Sequence, residues 1–140
     1  MAEERPTNWI QDHIDRYLSS NGEDGHEWNG MTCLLLTTQG RKTAEPRLLP
    51  LIYGKINDSY IIVASKGGHT HHPSWYLNLE ANPEVEIQVG AEKMKGTCHV
   101  SEGTEREKCW EIMTKQFPTY NDYQARTDRR IPVVVITPHE

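Results

Sequence analysis

The sequence predicts a mainly β protein, a small antiparallel barrel that is closed or partly closed and carries a few helices. Six short segments have strand patterns and three have helical patterns, a proportion typical of barrels rather than of alternating βαβ folds. The length of 140 residues is enough for one hydrophobic core. Barrels of this size leave a mouth or a flank in which a small ligand can bind.

The first segment is helical. Apolar residues at helical spacing predict a helix over residues 8–18, with Thr7 or Asn8 as its N-cap, and a polar loop follows. We therefore expect residues 1–30 to form an N-terminal helix and loop. Residues 31–140 are expected to form the barrel, within a single domain overall.

The strand segments are apolar or alternating runs bounded by turn residues. Pro50 lies inside the second of them and predicts an edge strand or a bulge, because proline cannot donate a ladder hydrogen bond. The six predicted strands cover residues 31–38, 47–53, 60–65, 84–89, 95–101 and 131–137.

Two further helical stretches interrupt the strands. The shorter one covers residues 73–81 and ends before Pro83. The longer one covers residues 105–116. Thr104, just before it, and Glu107, in its first turn, have the spacing of a capping box.

Charge and cysteine content exclude several classes of protein. With 15 basic and 20 acidic residues, the net charge of −5 argues against a nucleic-acid binder that works by general electrostatics. No apolar run approaches the roughly 20 residues that span a bilayer, and the polar N-terminus is unlike a signal peptide. Cys33, Cys98 and Cys109 are odd in number and far apart, so we expect reduced core thiols and a cytoplasmic protein.

A basic hairpin is the first candidate binding feature. Arg41 and Lys42 follow Gly40, and Arg47 opens the next predicted strand of this otherwise acidic chain. Arginine suits bidentate contacts with phosphate or carboxylate, and a glycine turn can add backbone N–H groups. The hairpin therefore predicts an anion site, with a solvated basic turn as the alternative.

The second candidate is the end of the third strand. Its apolar run continues into Ala64, Ser65, Lys66, Gly67 and Gly68. Glycines at a strand end let a ligand approach the backbone closely. The alternative is a flexible turn.

The helix after this strand end carries Trp75 and Asn78. Together with residues 64–68 they form a candidate pocket for a flat, anionic ligand, since tryptophan can pack on a planar ring. Trp75 as a plain core residue is the alternative.

Histidines and tyrosines supply the remaining candidates. His69, His71 and His72 raise the possibility of a metal site, but adjacent histidines without carboxylate or cysteine partners favour a solvated loop. Tyr120 and Tyr123 are three residues apart and can share a helical face. They predict an aromatic wall with hydroxyl donors, or else a helix cap packed on the last strand.

In their order and spacing, these segments resemble the deazaflavin-dependent nitroreductase family, whose members use coenzyme F-420. The likeness begins at about Cys33 and continues to the end of the chain. It implies a split β-barrel related to the FMN-binding barrels, with the cofactor in a groove on the barrel. The matching stretches are residues 34–42, Arg47 with Pro50 and Leu51, 64–68, 72–79, 81–83, Tyr120, Tyr123, 127–129 and 131–134.

The resemblance implies a role for each candidate residue. Arg41, Lys42 and Arg47 would hold the phosphate and the oligoglutamate tail. Ser65 would face the substrate beside Tyr120 and Tyr123, which would orient or protonate it. The full set of implied cofactor-binding residues is Thr37, Arg41, Lys42, Arg47, Ala64, Ser65, Lys66, Gly67, Gly68, Trp75 and Asn78.

The implied reaction is hydride transfer from the reduced deazaflavin to an electrophile such as a quinone, an enone or a nitro compound. One position departs from the best-studied nitroreductase type, which has tyrosine where this chain has Phe117. Phenylalanine keeps the ring and lacks the hydroxyl. Nitroimidazole reduction is therefore not carried over to this chain.

Three alternatives remain open at this level. The same barrel could bind FMN, it could bind the deazaflavin without catalysis as a carrier, or it could be an interaction module with no cofactor. The expected partner is a small electrophile rather than nucleic acid. The N-terminal helix could cover the substrate site, dock a partner or make peripheral membrane contact, and the oligomeric state is not determined by the sequence.

Overall fold

The computed structural model describes residues 4–23, 26–28, 31–65 and 72–139. Four helices and eight strands lie within these residues. In chain order they are α1 (Glu4–Ser19), β1 (Glu27–Trp28), β2 (Met31–Gln39), β3 (Pro46–Ile52), β4 (Gly54–Ile56), β5 (Ser59–Val63), α2 (Ser74–Ala81), β6 (Glu84–Val89), β7 (Glu92–Val100), α3 (Gly103–Gln116), α4 (Thr119–Ala125) and β8 (Val133–Pro138).

The strands form one curled antiparallel sheet. Its hydrogen-bonded order is β1-β2-β6-β7-β8-β5-β4, and β3 pairs with β2 beside this path. Only Tyr53 separates β3 from β4, so the chain itself joins the two ends of the curled sheet. The strand patterns predict such an antiparallel barrel, and the family resemblance implies its split form.

Two hydrophobic cores lie on opposite faces of the sheet. In β5, Ile62 faces a core inside the barrel with Leu34 and Val134, whereas its neighbours Ile61 and Val63 face a second core. This alternation follows from the two-residue period of a strand. The second core is covered by α3 and α4, which explains why β5 is apolar on both faces.

Helix α1 packs against the barrel through Ile14 and Tyr17, which contact Leu35. The Tyr17 side chain is fully buried. The single hydrogen of its hydroxyl is shared between the carbonyl oxygens of Cys33 (3.0 Å) and Gln88 (3.1 Å), and the oxygen accepts the N–H of Gly90 at 2.7 Å. Burial raises the pKa of Tyr17 to about 12, so the hydroxyl stays neutral. The N-terminal helix is thereby fixed to one end of the barrel.

Several sequence predictions about elements are confirmed. All three predicted helices are present, and Pro50 lies in β3, which pairs only with β2 among the described strands. The three cysteines are buried and unpaired. No helix in the described ranges has the length and apolarity needed to cross a membrane.

The predicted strand count and helix caps are wrong. The described chain forms seven strands of three or more residues, with β1 as a two-residue addition, where six were predicted. The strand that prediction missed in the barrel is β4, whose three residues are too few to show a period. Helix α1 already begins at Glu4, which rules out Thr7 and Asn8 as caps. Glu102 is the N-cap of α3, so the capping box at Thr104 does not form.

Candidate active site

One large cavity, of about 1210 Å³, opens along the flank of the barrel. Strands β2 and β3, the end of β5, and helices α1, α2 and α4 contribute to its wall. Its lining residues are His13, Cys33, Leu36, Thr38, Gly40, Arg41, Lys42, Thr43, Arg47, Leu48, Leu49, Pro50, Leu51, Ile52, Val63, Ser65, Pro73, Ser74, Trp75, Asn78, Phe117, Tyr120 and Tyr123.

The β2–β3 hairpin places three cations at one end of the cavity. Arg41, Lys42 and Arg47 line it and are exposed to solvent. The turn is closed by backbone bonds from the N–H of Gly40 to Glu45 (2.8 Å) and from the N–H of Ala44 to Gly40 (2.8 Å). A side chain at Gly40 would lie 3.1 Å from the Glu45 carbonyl oxygen and 3.5 Å from Nε of Arg47. The absence of a side chain at Gly40 therefore allows the tight turn that carries the cations.

Asn78 anchors this hairpin to helix α2. Its Oδ1 accepts the backbone N–H of Arg41 (3.2 Å) and the Arg41 guanidinium (2.8 Å), and its Nδ2 donates to Thr38 Oγ1 at 3.2 Å. The Asn78 side chain is only 5% exposed. Arg41 also donates to the Ser74 carbonyl at 3.3 Å. These contacts from α2 orient Arg41 and indicate a positioning role for Asn78.

Trp75 is both a core residue and a residue of the cavity wall, and its packing on a ligand ring stays a prediction. It lines the cavity and is also part of the barrel core, with 8% of its surface exposed. Most of its surface is therefore packed in the core, and the remainder is accessible at the cavity. Pro73, just before α2, lies beside it in the same wall.

At the end of β5, Ser65 lines the cavity and is half-buried. Its carbonyl oxygen accepts the Nη2 of Arg129 at 2.7 Å, and the Ala64 carbonyl accepts Nη1 at 3.2 Å. The same Nη1 lies 3.0 Å from Nδ1 of His72. Burial, and then the nearby Arg129 cation, lower the pKa of His72.

An aromatic wall forms the other end of the cavity. Tyr120 and Tyr123 share one face of α4 with ring centroids 6.2 Å apart, and Phe117 packs edge-on to Tyr120 at 4.9 Å. Tyr120 is 4% exposed. Burial is the main cause that raises its pKa, followed by the neighbouring Cys33 and Tyr123. Tyr120 is therefore a neutral hydroxyl, suited to donating a hydrogen bond.

Some predicted residues lie elsewhere. Thr37 lines a separate cavity of about 300 Å³ and not the main one, whereas its neighbour Thr38 lines both cavities. Ala64 is fully buried in the barrel core rather than in the cavity wall. The predicted sites at Lys66, Gly67 and Gly68, and the histidines at 69 and 71, lie outside the described residues. Within the described ranges, no group of metal-ligating side chains is placed to hold an ion.

Sequence reasoning missed two contributors to the cavity. His13 reaches it from α1, a helix whose packing partner the sequence does not reveal. Leu48, Leu49 and Leu51 of β3 contribute to its apolar wall. The signal that could have indicated this wall is the apolar run around Pro50. Apolar and polar residues do not alternate there, as is possible for an edge strand that lines a cavity with one face.

The comparisons with known proteins agree on one family. The model of the family described as F420H(2)-dependent quinone reductase matches residues 9–138. An F420H(2)-dependent quinone reductase of Mycobacterium tuberculosis is 39% identical over 144 aligned residues, which cover 94% of this chain and 97% of that protein.

Two solved structures are similar in both fold and sequence. One, described as an F420-H2 dependent reductase (FDR-A), has a TM-score of 0.70 and 42% identity, and the match covers 75% of this chain and 93% of that one. Another, described as a domain-swapped dimer, has a TM-score of 0.74 and 39% identity, covering 94% and 99%. The chain therefore belongs to the F420H(2)-dependent quinone reductase family.

Proposed function

We propose that this protein reduces quinones with the reduced deazaflavin coenzyme F420, and that both molecules bind in the flank cavity. The observation that carries the proposal is the polarity of this cavity. Exposed cations line one end, and the buried Tyr120 with the half-buried Phe117 and Tyr123 lines the other. An anionic tail and a planar ring need such a division within a single site.

The residues present fit the cofactor that the family uses. Arg41, Lys42 and Arg47 match the phosphate and the carboxylates of its tail, because all three cations are exposed at the cavity edge. Arg41 is oriented by Asn78 before any ligand binds, which reduces the ordering cost of binding. Trp75 offers an apolar face of the kind that a flat ring system requires.

Bound reduced F420 supplies the hydride, and the protein contributes position and polarisation. Tyr120 would donate a hydrogen bond to a quinone oxygen and so favour the negative charge that develops there. Its raised pKa makes it a better hydrogen-bond donor than proton source. Tyr123 and Ser65 would complete the acceptor side, and Phe117 would supply ring surface only.

The N-terminal helix would close the acceptor end of the cavity. Tyr17 fixes α1 to the barrel, and His13, one helical turn earlier, lines the cavity. Cys33 lies close enough to both Tyr17 and Tyr120 to influence their pKa values, so α1 lies near the aromatic end. Peripheral membrane contact by α1 and a cytoplasmic location remain predictions.

A fluorescence titration with oxidised F420, run beside FMN, tests the cofactor. We expect binding of F420 that strengthens with tail length, and at least about tenfold weaker binding in Arg41→Ala and Lys42→Ala. Lys93→Ala, an exposed cation on β7, is the matched control. Equal affinity for FMN, or unaltered F420 affinity in both variants, would refute the assignment.

Turnover separates an enzyme from a carrier. We expect the F420H2-loaded protein to reduce 1,4-naphthoquinones in a spectrophotometric assay. Tight F420 binding with no reduction across a panel of quinones would favour the carrier alternative.

A further inference from the structure

Arg129 lies outside the set of residues that line the cavity, yet its guanidinium contacts three groups near the end of β5 within the described residues. Nη2 donates to the Ser65 carbonyl at 2.7 Å, and Nη1 donates to the Ala64 carbonyl at 3.2 Å and to His72 Nδ1 at 3.0 Å. Ser65 and His72 are the described residues on either side of residues 66–71. One side chain thus holds together two points that are seven positions apart in the chain.

The segment that carries Arg129 is itself attached to helix α4. The side-chain amide of Gln124, at the end of this helix, donates to the Arg129 carbonyl at 2.8 Å and accepts the N–H of Ile131 at 2.9 Å. Arg106 of α3 donates to the Ile131 carbonyl at 2.7 Å. Side chains of α3 and α4 therefore fix the backbone of the segment that connects α4 to β8.

Helix α4 also carries Tyr120 and Tyr123, whereas the end of β5 carries Ser65. The contacts from Gln124 to Arg129 and from Arg129 to Ser65 therefore join the two sides of the cavity. On the basis of this geometry, and given the proposed function, we propose that Arg129 is a positioning residue. It fixes the positions of Ser65 and His72 relative to the tyrosines of α4. The cofactor and the quinone would then bind in the relative orientation that hydride transfer needs.

The chemistry of these contacts favours arginine specifically. The acceptors among the described residues are two successive carbonyl oxygens and one imidazole nitrogen, and a planar guanidinium can donate to all of them at once. Lysine has one ammonium centre on a flexible stem and cannot reproduce this fork. Because arginine only donates, His72 must accept at Nδ1 and carry its proton on Nε2.

The test uses Arg129→Met and Arg129→Lys, with Arg130→Met and Arg130→Lys as matched controls, since Arg130 is exposed and next in the chain. The first readout is the ¹⁵N spectrum of His72 in the cofactor-free protein. We expect the Nε2–H tautomer in the unsubstituted protein and loss of this preference in Arg129→Met. The pKa of His72 should also rise there, since the cation is gone while Tyr76 and Glu80 still face the imidazole.

The second readout is binding and turnover. Both Arg129 variants should bind oxidised F420 about tenfold more weakly than the Arg130 variants, and Arg129→Lys should not restore it. Thermal unfolding within a few degrees of the controls would separate this loss from misfolding. A changed His72 spectrum with F420 affinity and turnover at control values would overturn the positioning role, as would an unchanged spectrum. If the unsubstituted protein binds no F420, the proposed function fails, and the His72 spectrum alone then decides whether Arg129 orders this end of β5.

Discussion

Replacement of Asn78 by alanine tests whether this residue acts through Arg41. The substitution removes the bonds from the backbone N–H and the guanidinium of Arg41 and the bond to Thr38 Oγ1. The two neutral bonds contribute about 1 kcal/mol each, and the charged one about the same because Arg41 is exposed. Alanine recovers about 0.5 kcal/mol of helix propensity. The expected loss of stability is about 2.5 kcal/mol.

For a chain of 140 residues, this loss corresponds to a fall in melting temperature of roughly 7–10 °C. Asn82→Ala is the matched control, because Asn82, a half-buried residue just after α2, makes the same type of side-chain bonds, but both are exposed to solvent. Calorimetry should show a much smaller change for this control. F420 affinity should fall about tenfold in Asn78→Ala, since Arg41 is no longer held in place.

Asn78→Asp separates the loss of stability from the loss of F420 affinity. The carboxylate keeps both acceptor contacts with Arg41, and the Thr38 hydroxyl can rotate to donate. We expect near-normal stability and F420 binding weakened by about tenfold, because the added charge opposes the anionic tail. An Asn78→Ala protein that melts with the Asn82→Ala control, or binds F420 like the unsubstituted protein, would refute the reasoning.

Two further substitutions test the ends of the site. Tyr17→Phe removes the hydroxyl that bonds the Gly90 N–H and two carbonyl oxygens. The free energy of unfolding, measured by chemical denaturation, should fall by about 2 kcal/mol. A fall of less than about 0.5 kcal/mol would mean that Tyr17 does not anchor α1 to the barrel. Tyr120→Phe should lower kcat for quinone reduction by about tenfold or more while F420 affinity changes less than about twofold, and unchanged turnover would remove Tyr120 from the mechanism.

The strands and helices could be predicted because their signals are local. Period-two alternation in β6 and the helical spacing in α1 depend on neighbouring residues only. The misses have physical reasons too. Strand β4 is too short to show a period, and the cap of α3 depends on where Gly103 takes its positive φ of 58°.

The candidate site was predicted in part. Arg41 and Tyr120 belong to compact motifs, and both line the cavity. Thr37 shows the limit of such reasoning: alternation says that Thr37 and Thr38 face opposite sides of β2, but not which side holds the cavity. Arg129 shows another limit, because its partners lie 57 to 65 positions away.

By itself the sequence determined the barrel class, the position of the cationic hairpin and the tyrosine pair. The tertiary structure alone decided which of these features meet. Strand β2 pairs with β6, and α1 reaches the barrel through Tyr17 and Gly90, a separation of 73 residues. Such contacts are selected by the packing of the whole core, a long-range balance that no local pattern encodes.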